Sequence, residues 1–189
     1  MNLFQSDGGF LLYSAYFVCM KPVISLNSNI SAFANKLQDI IISELPISNY
    51  SKRYLQHLFR HSNYYLSIYT HVLENLLLQS GKAPDQINMV DYGAGNGLLG
   101  MFAKFCGFNK VYLCDRDSDF VHASLVLANE LNIEIDKFIC GDIDSLKSEL
   151  SQQTIHAVAG TDVVEHIYNL DVFFAAIHTM NPAMVSIFT

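Results

Sequence analysis

Apolar positions recur at helical spacing in the first part of the chain and in short unbroken runs in the second. Tyr65, Ile68, Tyr69, Val72 and Leu76 share one face of a predicted helix that starts after Ser62, a side chain suited to capping, and stops at Gly81. Phe33, Leu37, Ile40 and Ile41 mark a second helix, and Lys52 to Arg60 a third. The apolar run Phe10 to Met20 reads as a further helix packed on the main domain. It is far shorter than the ~20 residues a bilayer requires. No basic region precedes it and no small-residue cleavage site follows, so neither a membrane span nor a secretory signal is expected.

From Ile87 the rhythm changes. Five buried strands are predicted at INMVDY (87–92), KVYLCD (110–115), DKFICGD (136–142), IHAVAGTD (155–162) and AMVSIFT (183–189). Helical patterns fall between them, at 97–106, at 118–131 with Val121, Leu125, Ala128 and Leu131 on one face, and at 169–180 behind Asn169; a short turn is expected near 145–150. Such alternation predicts an α/β fold, its parallel strands joined by right-handed crossovers and covered on both faces. The organisational break falls at GKAPDQ (81–86), dividing an N-terminal helical cap, 1–83, from a sheet domain, 84–189.

Composition narrows the function classes. Hydrophobic residues make up 51% of the 189 positions and charged ones 15%, which indicates a packed core and excludes disorder. Lys and Arg number 11 against 18 Asp and Glu, and no basic run occurs, so no surface for tracking nucleic acid is expected. Cys19, Cys106, Cys114 and Cys140 show no CxxC spacing and sit among apolar neighbours, as buried reduced thiols of a cytoplasmic protein would.

The stretch VDYGAGNGLLG, residues 90–100, places four glycines after the first strand. Gly95, Gly97 and Gly100 spell the GxGxxG of dinucleotide folds, a weak signal alone. Counted from Gly93 at the strand's end, the pattern is GxGxG, with Leu98 where a third dinucleotide glycine belongs. Asp91 beside the turn would repel a pyrophosphate and attract an ammonium group. No GKS or GKT follows to form a nucleoside-triphosphate loop. A ligand that is cationic at one end and carries a ribose and an adenine fits better. Asp115 closes the second strand 22 residues after Gly93, placed to accept both hydroxyls of a ribose. Asp142 closes the third strand 27 residues later, where the exocyclic amine of adenine would lie, with Ile143 offering an apolar face to the ring.

In this order, VDYGAGNGLLG, YLCD, CGDI and GTDVVEHI resemble the first four motifs of the seven-strand class I S-adenosylmethionine-dependent methyltransferases, over about residues 87–189. The resemblance implies a Rossmann-like, doubly wound, mostly parallel sheet with an N-terminal helical extension. It implies that Asp91 and Gly93 line the methionine end, that Gly95 and Gly97 form the tight turn, that Asp115 holds the ribose, and that Asp142 lies at the adenine end. Ala94 in the turn, Arg116 after Asp115, Ile143, and Thr161 at the fourth strand's end complete the expected cofactor set. DVVEH (162–166) is similar to the ExxEH of many small-molecule methyltransferases, with Asp162 in place of the usual Glu. His166 there reads either as a general base toward an attacking hydroxyl or amine, or as a residue that only orients its loop. The family's sheet has seven strands, so the expectation is that this sequence is the N-terminal portion of a longer protein or a truncated product.

The implied activity is methyl transfer from S-adenosylmethionine to a small-molecule hydroxyl or amine. Displacement at a sulfonium makes no metal compulsory. No NPPY-like loop follows the fourth strand and no proline precedes a cysteine, which argues against nucleobase acceptors. Two other readings stand beside it: a non-catalytic cofactor-binding or interaction module, and an NAD-dependent oxidoreductase resting on the overlapping GxGxxG. Oligomeric state is left open.

Overall fold

The computed structural model describes residues 25–189; the helix expected over Phe10–Met20 lies outside the described residues. The described residues open with helices α1 (Asn27–Gln38), α2 (Asn49–Arg60) and α3 (Ser62–Ser80). It then alternates through β1 (Asn88–Tyr92), α4 (Leu98–Phe105), β2 (Lys110–Asp115), α5 (Ser118–Glu130), β3 (Lys137–Cys140), α6 (Ile143–Glu149), β4 (Ala157–Gly160), α7 (Leu170–Met180) and β5 (Val185–Phe188).

All five strands pair in parallel in the order β3-β2-β1-β4-β5. The chain therefore runs outward from β1 to β3, then crosses back to lay β4 on the other side of β1. This reversal leaves a crevice at the carboxyl ends of β1 and β4, the place where open α/β sheets bind ligands. Side chains alternate across the sheet, as a two-residue period demands. Met89, Val111, Leu113, Ala157 and Ala159 join the core shared with α1 to α5. Val90, Tyr92, Tyr112, Cys114 and Val158 join the core under α6 and α7, which Leu146, Phe173 and Ile177 fill.

Among the described residues, helices α1 to α3 share the core of the sheet. Phe33 of α1 is fully buried and its ring lies 5.3 Å from those of Phe102 and Phe105 on and at the end of α4. The apolar face of α3 carries Leu66, Val72, Leu73 and Leu76 into the same core that receives Val185 and Ile187 of β5. The break at 81–86 is thus a change of rhythm within one continuous core, with α3 forming part of the layer that covers the sheet.

Several local expectations are corrected. Ser62 is the first residue of α3 rather than its cap; His61 occupies that position without a capping side-chain bond, and forms a one-residue corner between α2 and α3. Of the helices α1 to α3, the one that starts with a side-chain cap is α2, which begins at Asn49, three residues ahead of the start expected at Lys52, with Ser48 Oγ accepting the Ser51 N–H at 3.0 Å. Helix α1 ends at Gln38, leaving Ile40 half-buried and Ile41 exposed. The buried side of α5 is Ala123, Ser124, Val126, Leu127 and Ala128, with Leu131 just beyond, whereas Leu125 is exposed and Val121 half-buried. The turn expected near 145–150 is the two-turn helix α6. Cys114 is buried but Cys140 is exposed, and Cys19 is outside the described residues.

Asp91 lies inside β1 rather than at its end, opposite Leu113 of β2 and Ala159 of β4, and is 2% exposed. Its Oδ2 accepts the N–H of Gly100 in α4 at 2.9 Å, tying strand to helix. Burial, opposed by that N–H and reinforced by the nearby Asp115, raises its pKa from 3.8 to about 7. The folded pKa is above the unfolded one, so the native state binds the extra proton between the two values. Stability from this group is present at low pH and is lost as pH rises through about 7. In urea unfolding from pH 4 to 8, the wild type is expected to lose on the order of 4 kcal/mol relative to Asp91→Asn. A constant difference between the two proteins across that range would contradict this environment for Asp91.

Candidate functional site

At the end of β1 the chain reverses over the end of β2. The N–H groups of Gly93 and Ala94 both donate to the Cys114 carbonyl, at 2.8 and 3.0 Å, and Gly97 N–H closes the turn onto the Ala94 carbonyl at 2.7 Å. Two of the glycines are required on steric grounds. Gly97, at the cap position of α4, has φ +78°, and a methyl there would stand 2.6 Å from Leu113 Cδ1. Gly93 has φ +69°, and a methyl there would overlap Val163, which follows β4.

Asp115 fixes the top of the turn. Its Oδ2 accepts the Gly95 N–H at 2.7 Å while its Oδ1 accepts the Asp117 N–H at 2.9 Å. A carboxylate offers roughly four acceptor sites, so capacity remains for a pair of hydroxyls. Asp142 plays a different local part from the strand end expected of it. Strand β3 stops at Cys140, and Asp142 caps α6, its Oδ1 accepting from Asp144 N, Ser145 N and Ser145 Oγ at 3.2, 3.1 and 3.3 Å. These bonds, the Ser145 N–H foremost, hold its carboxyl below the usual carboxylate range.

These strand ends surround a cavity of about 490 Å³. Of the residues predicted from sequence, Gly93, Gly95, Asp115, Arg116, Asp142, Ile143, Thr161 and His166 line it. Three do not. Asp91 stands behind the turn, bonded to Gly100; Gly97 packs beneath it on Leu113 and Ser124; Ala94 packs against the helical core. His166 ends a short 3-10 turn over Val164–His166 and is exposed at the rim. Asp162 lines the cavity from a left-handed backbone position, φ +53°. No group of three or more His, Cys, Asp or Glu is placed to hold a metal among the described residues.

Other parts of the wall were not anticipated from the sequence. Tyr50 and Tyr54 of α2 and Phe120 of α5 cover one side, with ring centroids 5.4 Å apart for Tyr50 and Phe120 and 5.2 Å for Tyr54 and Phe120. Tyr168, Val172 and Phe173 form an apolar flank at the start of α7. Helix α2 is anchored in this place at several points. Ser48 Oγ donates to the Asp119 carboxylate, Asn96 Nδ2 to the Ser51 carbonyl at 3.3 Å, and His122 Nε2 pairs with the Pro46 carbonyl at 3.2 Å. Of the tyrosines of α3, Tyr69 is buried, Tyr64 is exposed, and Tyr65 pairs its hydroxyl with His57 Nε2 at 3.1 Å. The i, i+4 spacing of Tyr50 and Tyr54 was a visible signal, but spacing does not say which surface a helix face meets.

No family model and no curated protein matches the sequence. Solved structures do. The chain is similar to a hypothetical protein of Thermus thermophilus, with 15% identity, a TM-score of 0.50, and coverage of 63% of this chain and 66% of that one. It is also similar to a variant of the nicotianamine synthase MtNAS in complex with S-adenosylmethionine, with 15% identity, a TM-score of 0.52, and coverage of 82% and 55%. A looser likeness, with a TM-score of 0.46 and 17% identity over 82% of this chain and 72% of the other, is to magnesium protoporphyrin IX methyltransferase from Synechocystis PCC 6803 with bound S-adenosylmethionine. The chain spans between about half and two thirds of the length of the first two. At such identities the likeness is one of fold, and it agrees with the parallel order β3-β2-β1-β4-β5. The chain has an open, Rossmann-like α/β fold of the kind seen in these structures.

Proposed function

We propose that this chain binds S-adenosylmethionine in the cavity at the β1–β4 crevice and transfers its methyl group to a hydroxyl or amine of a small molecule. The observation that carries the reading is the union, in one cavity, of the glycine turn, the Asp115 carboxylate that grips it, and the Asp142 cap. The residues fit the ligand's chemistry. Carboxylates of Asp115, Asp142 and Asp162 and one guanidinium, Arg116, stand on the lining, a balance that suits a cationic nucleoside and disfavours a diphosphate. The volume is within the usual range for sites of small ligands.

When bound, the cofactor supplies an activated methyl on a sulfonium leaving group. The chain's own part is to hold and align. Asp115 accepts the ribose hydroxyls on the lone pairs left free by Gly95 and Asp117, and Ile143 lies along the base beside Asp142. Tyr168, Val172 and Phe173 offer an apolar flank to the acceptor. His166, at the rim, takes the proton that the acceptor's O–H or N–H releases as its new bond to carbon forms. Holding the acceptor in line with the carbon–sulfur bond then supplies much of the rate.

Calorimetric titration with S-adenosylhomocysteine and with NAD tests the binding half: the sulfur nucleoside is expected to bind and NAD to give no heat, and the reverse would end the reading. Asp115→Ala is expected to weaken S-adenosylhomocysteine by roughly 1.5–3 kcal/mol, the range for lost charge-assisted hydrogen bonds. Affinity equal to that of the wild type would remove Asp115 from the ribose. For the catalytic half, His166→Ala is expected to lower the release of S-adenosylhomocysteine from a panel of phenolic and amine acceptors, with cofactor affinity kept within about 2-fold. Equal turnover would dismiss His166 as the base.

A further inference from the structure

The side of the cavity over the glycine turn is covered by a helix that belongs to no cofactor motif, and the residue it places there is Tyr54. A methyl built on Gly95 would lie 3.6 Å from Tyr54 Cε1 and 3.9 Å from its hydroxyl oxygen, so the ring sits in van der Waals reach of the turn's crest. The ring is held from both ends. Phe120 supports it at a centroid distance of 5.2 Å, and the helix that carries it is tied down by Ser48 to Asp119 and by Asn96 to the Ser51 carbonyl. Tyr54 is 38% exposed and lines the cavity, so part of its ring is within reach of a ligand there.

The chemistry of an aromatic face in that position is specific. In a sulfonium nucleoside the charged sulfur joins the ribose to the amino-acid portion. With the ribose on Asp115 and the amino-acid end at Gly93, the sulfur would fall beside the Gly93–Gly95 turn, next to Tyr54. We propose that Tyr54 is a cofactor-binding residue whose ring recognises the positive charge of the sulfonium, so that the site prefers the charged methyl donor over its neutral thioether product. This inference rests on the reading of the cavity as an S-adenosylmethionine site. Burial first, and then the neighbouring Tyr65 and Asp162, raise the Tyr54 pKa, so the phenol is neutral at physiological pH and the attraction comes from the π face rather than from a phenolate. Preference for donor over product would limit inhibition by the product and favour its release after transfer.

The test is the ratio of the dissociation constants of S-adenosylhomocysteine and S-adenosylmethionine, measured by calorimetry on the wild type, Tyr54→Leu and Tyr54→Phe. Tyr54→Leu keeps an apolar side chain but removes the π face, and it is expected to weaken S-adenosylmethionine by about 5- to 30-fold, the size of a partly desolvated cation–π contact. S-adenosylhomocysteine is expected to change by less than about 3-fold, so the ratio collapses, while Tyr54→Phe, which keeps the ring, preserves it. Parallel losses for both ligands in Tyr54→Leu, or an unchanged ratio, would overturn the inference and leave the cofactor assignment standing. A wild type that binds neither compound would remove both.

Discussion

The N–H of Gly95 meets the carboxylate of Asp115 at 2.7 Å, and the N–H groups of Gly93 and Ala94 meet the carbonyl of Cys114 beside it. Everything at the crevice depends on this junction of β1 and β2. A strand-to-helix turn built from left-handed glycines has little preference of its own for one shape, because glycine loses more conformational freedom on folding than any other residue. The second strand supplies the missing restraint, with one carbonyl and one carboxylate at its tip. The same carboxylate retains acceptor capacity, so the group that shapes the turn is also the group best placed to hold a ligand's hydroxyls.

The layers behind the junction explain how it is kept in place. The Gly100 N–H of α4 is satisfied by the buried Asp91, which sets that helix against the strand. On the other side of β1, Val163 packs onto Gly93 so closely that no side chain fits between them. The turn is therefore clamped from β2, from α4 and from the end of β4. Above it, α2 is fastened to α5 through Ser48 and Asp119 and to the turn through Asn96. The floor and roof of the cavity are thus parts of one hydrogen-bonded unit, and displacement of α2 would disturb the glycine turn itself.

The five strands and the glycine turn were legible in the sequence because buried parallel strands leave unbroken apolar runs and because the turn needs glycine where no other residue fits. The strand-end acids were legible for the same reason, although Asp91 proved to sit inside its strand and Asp142 to cap a helix. What was not legible depended on close packing or on the tertiary partner. The face expected of α5 carried Val121 and Leu125 with Ala128 and Leu131, yet the buried side runs through Ala123, Ser124, Val126 and Leu127 as well as Ala128. Small residues are needed there: Ser124 Cβ is 3.0 Å from where a side chain on Gly97 would begin. Ser62 looked like a cap because its type is right, but α2 runs to Arg60 and leaves room only for the His61 corner. Tyr50 and Tyr54 carried a helical spacing without a destination, since amphipathicity shows that a face is covered and not by what.

A crystal structure of the chain with S-adenosylhomocysteine would locate the ligand against these strand ends. The ribose is expected on the Asp115 carboxylate, the adenine beside Asp142 and Ile143, and the sulfur beside the glycine turn and next to the ring of Tyr54. Strand ends left empty by that compound, or occupied instead by a diphosphate-bearing ligand, would contradict this placement.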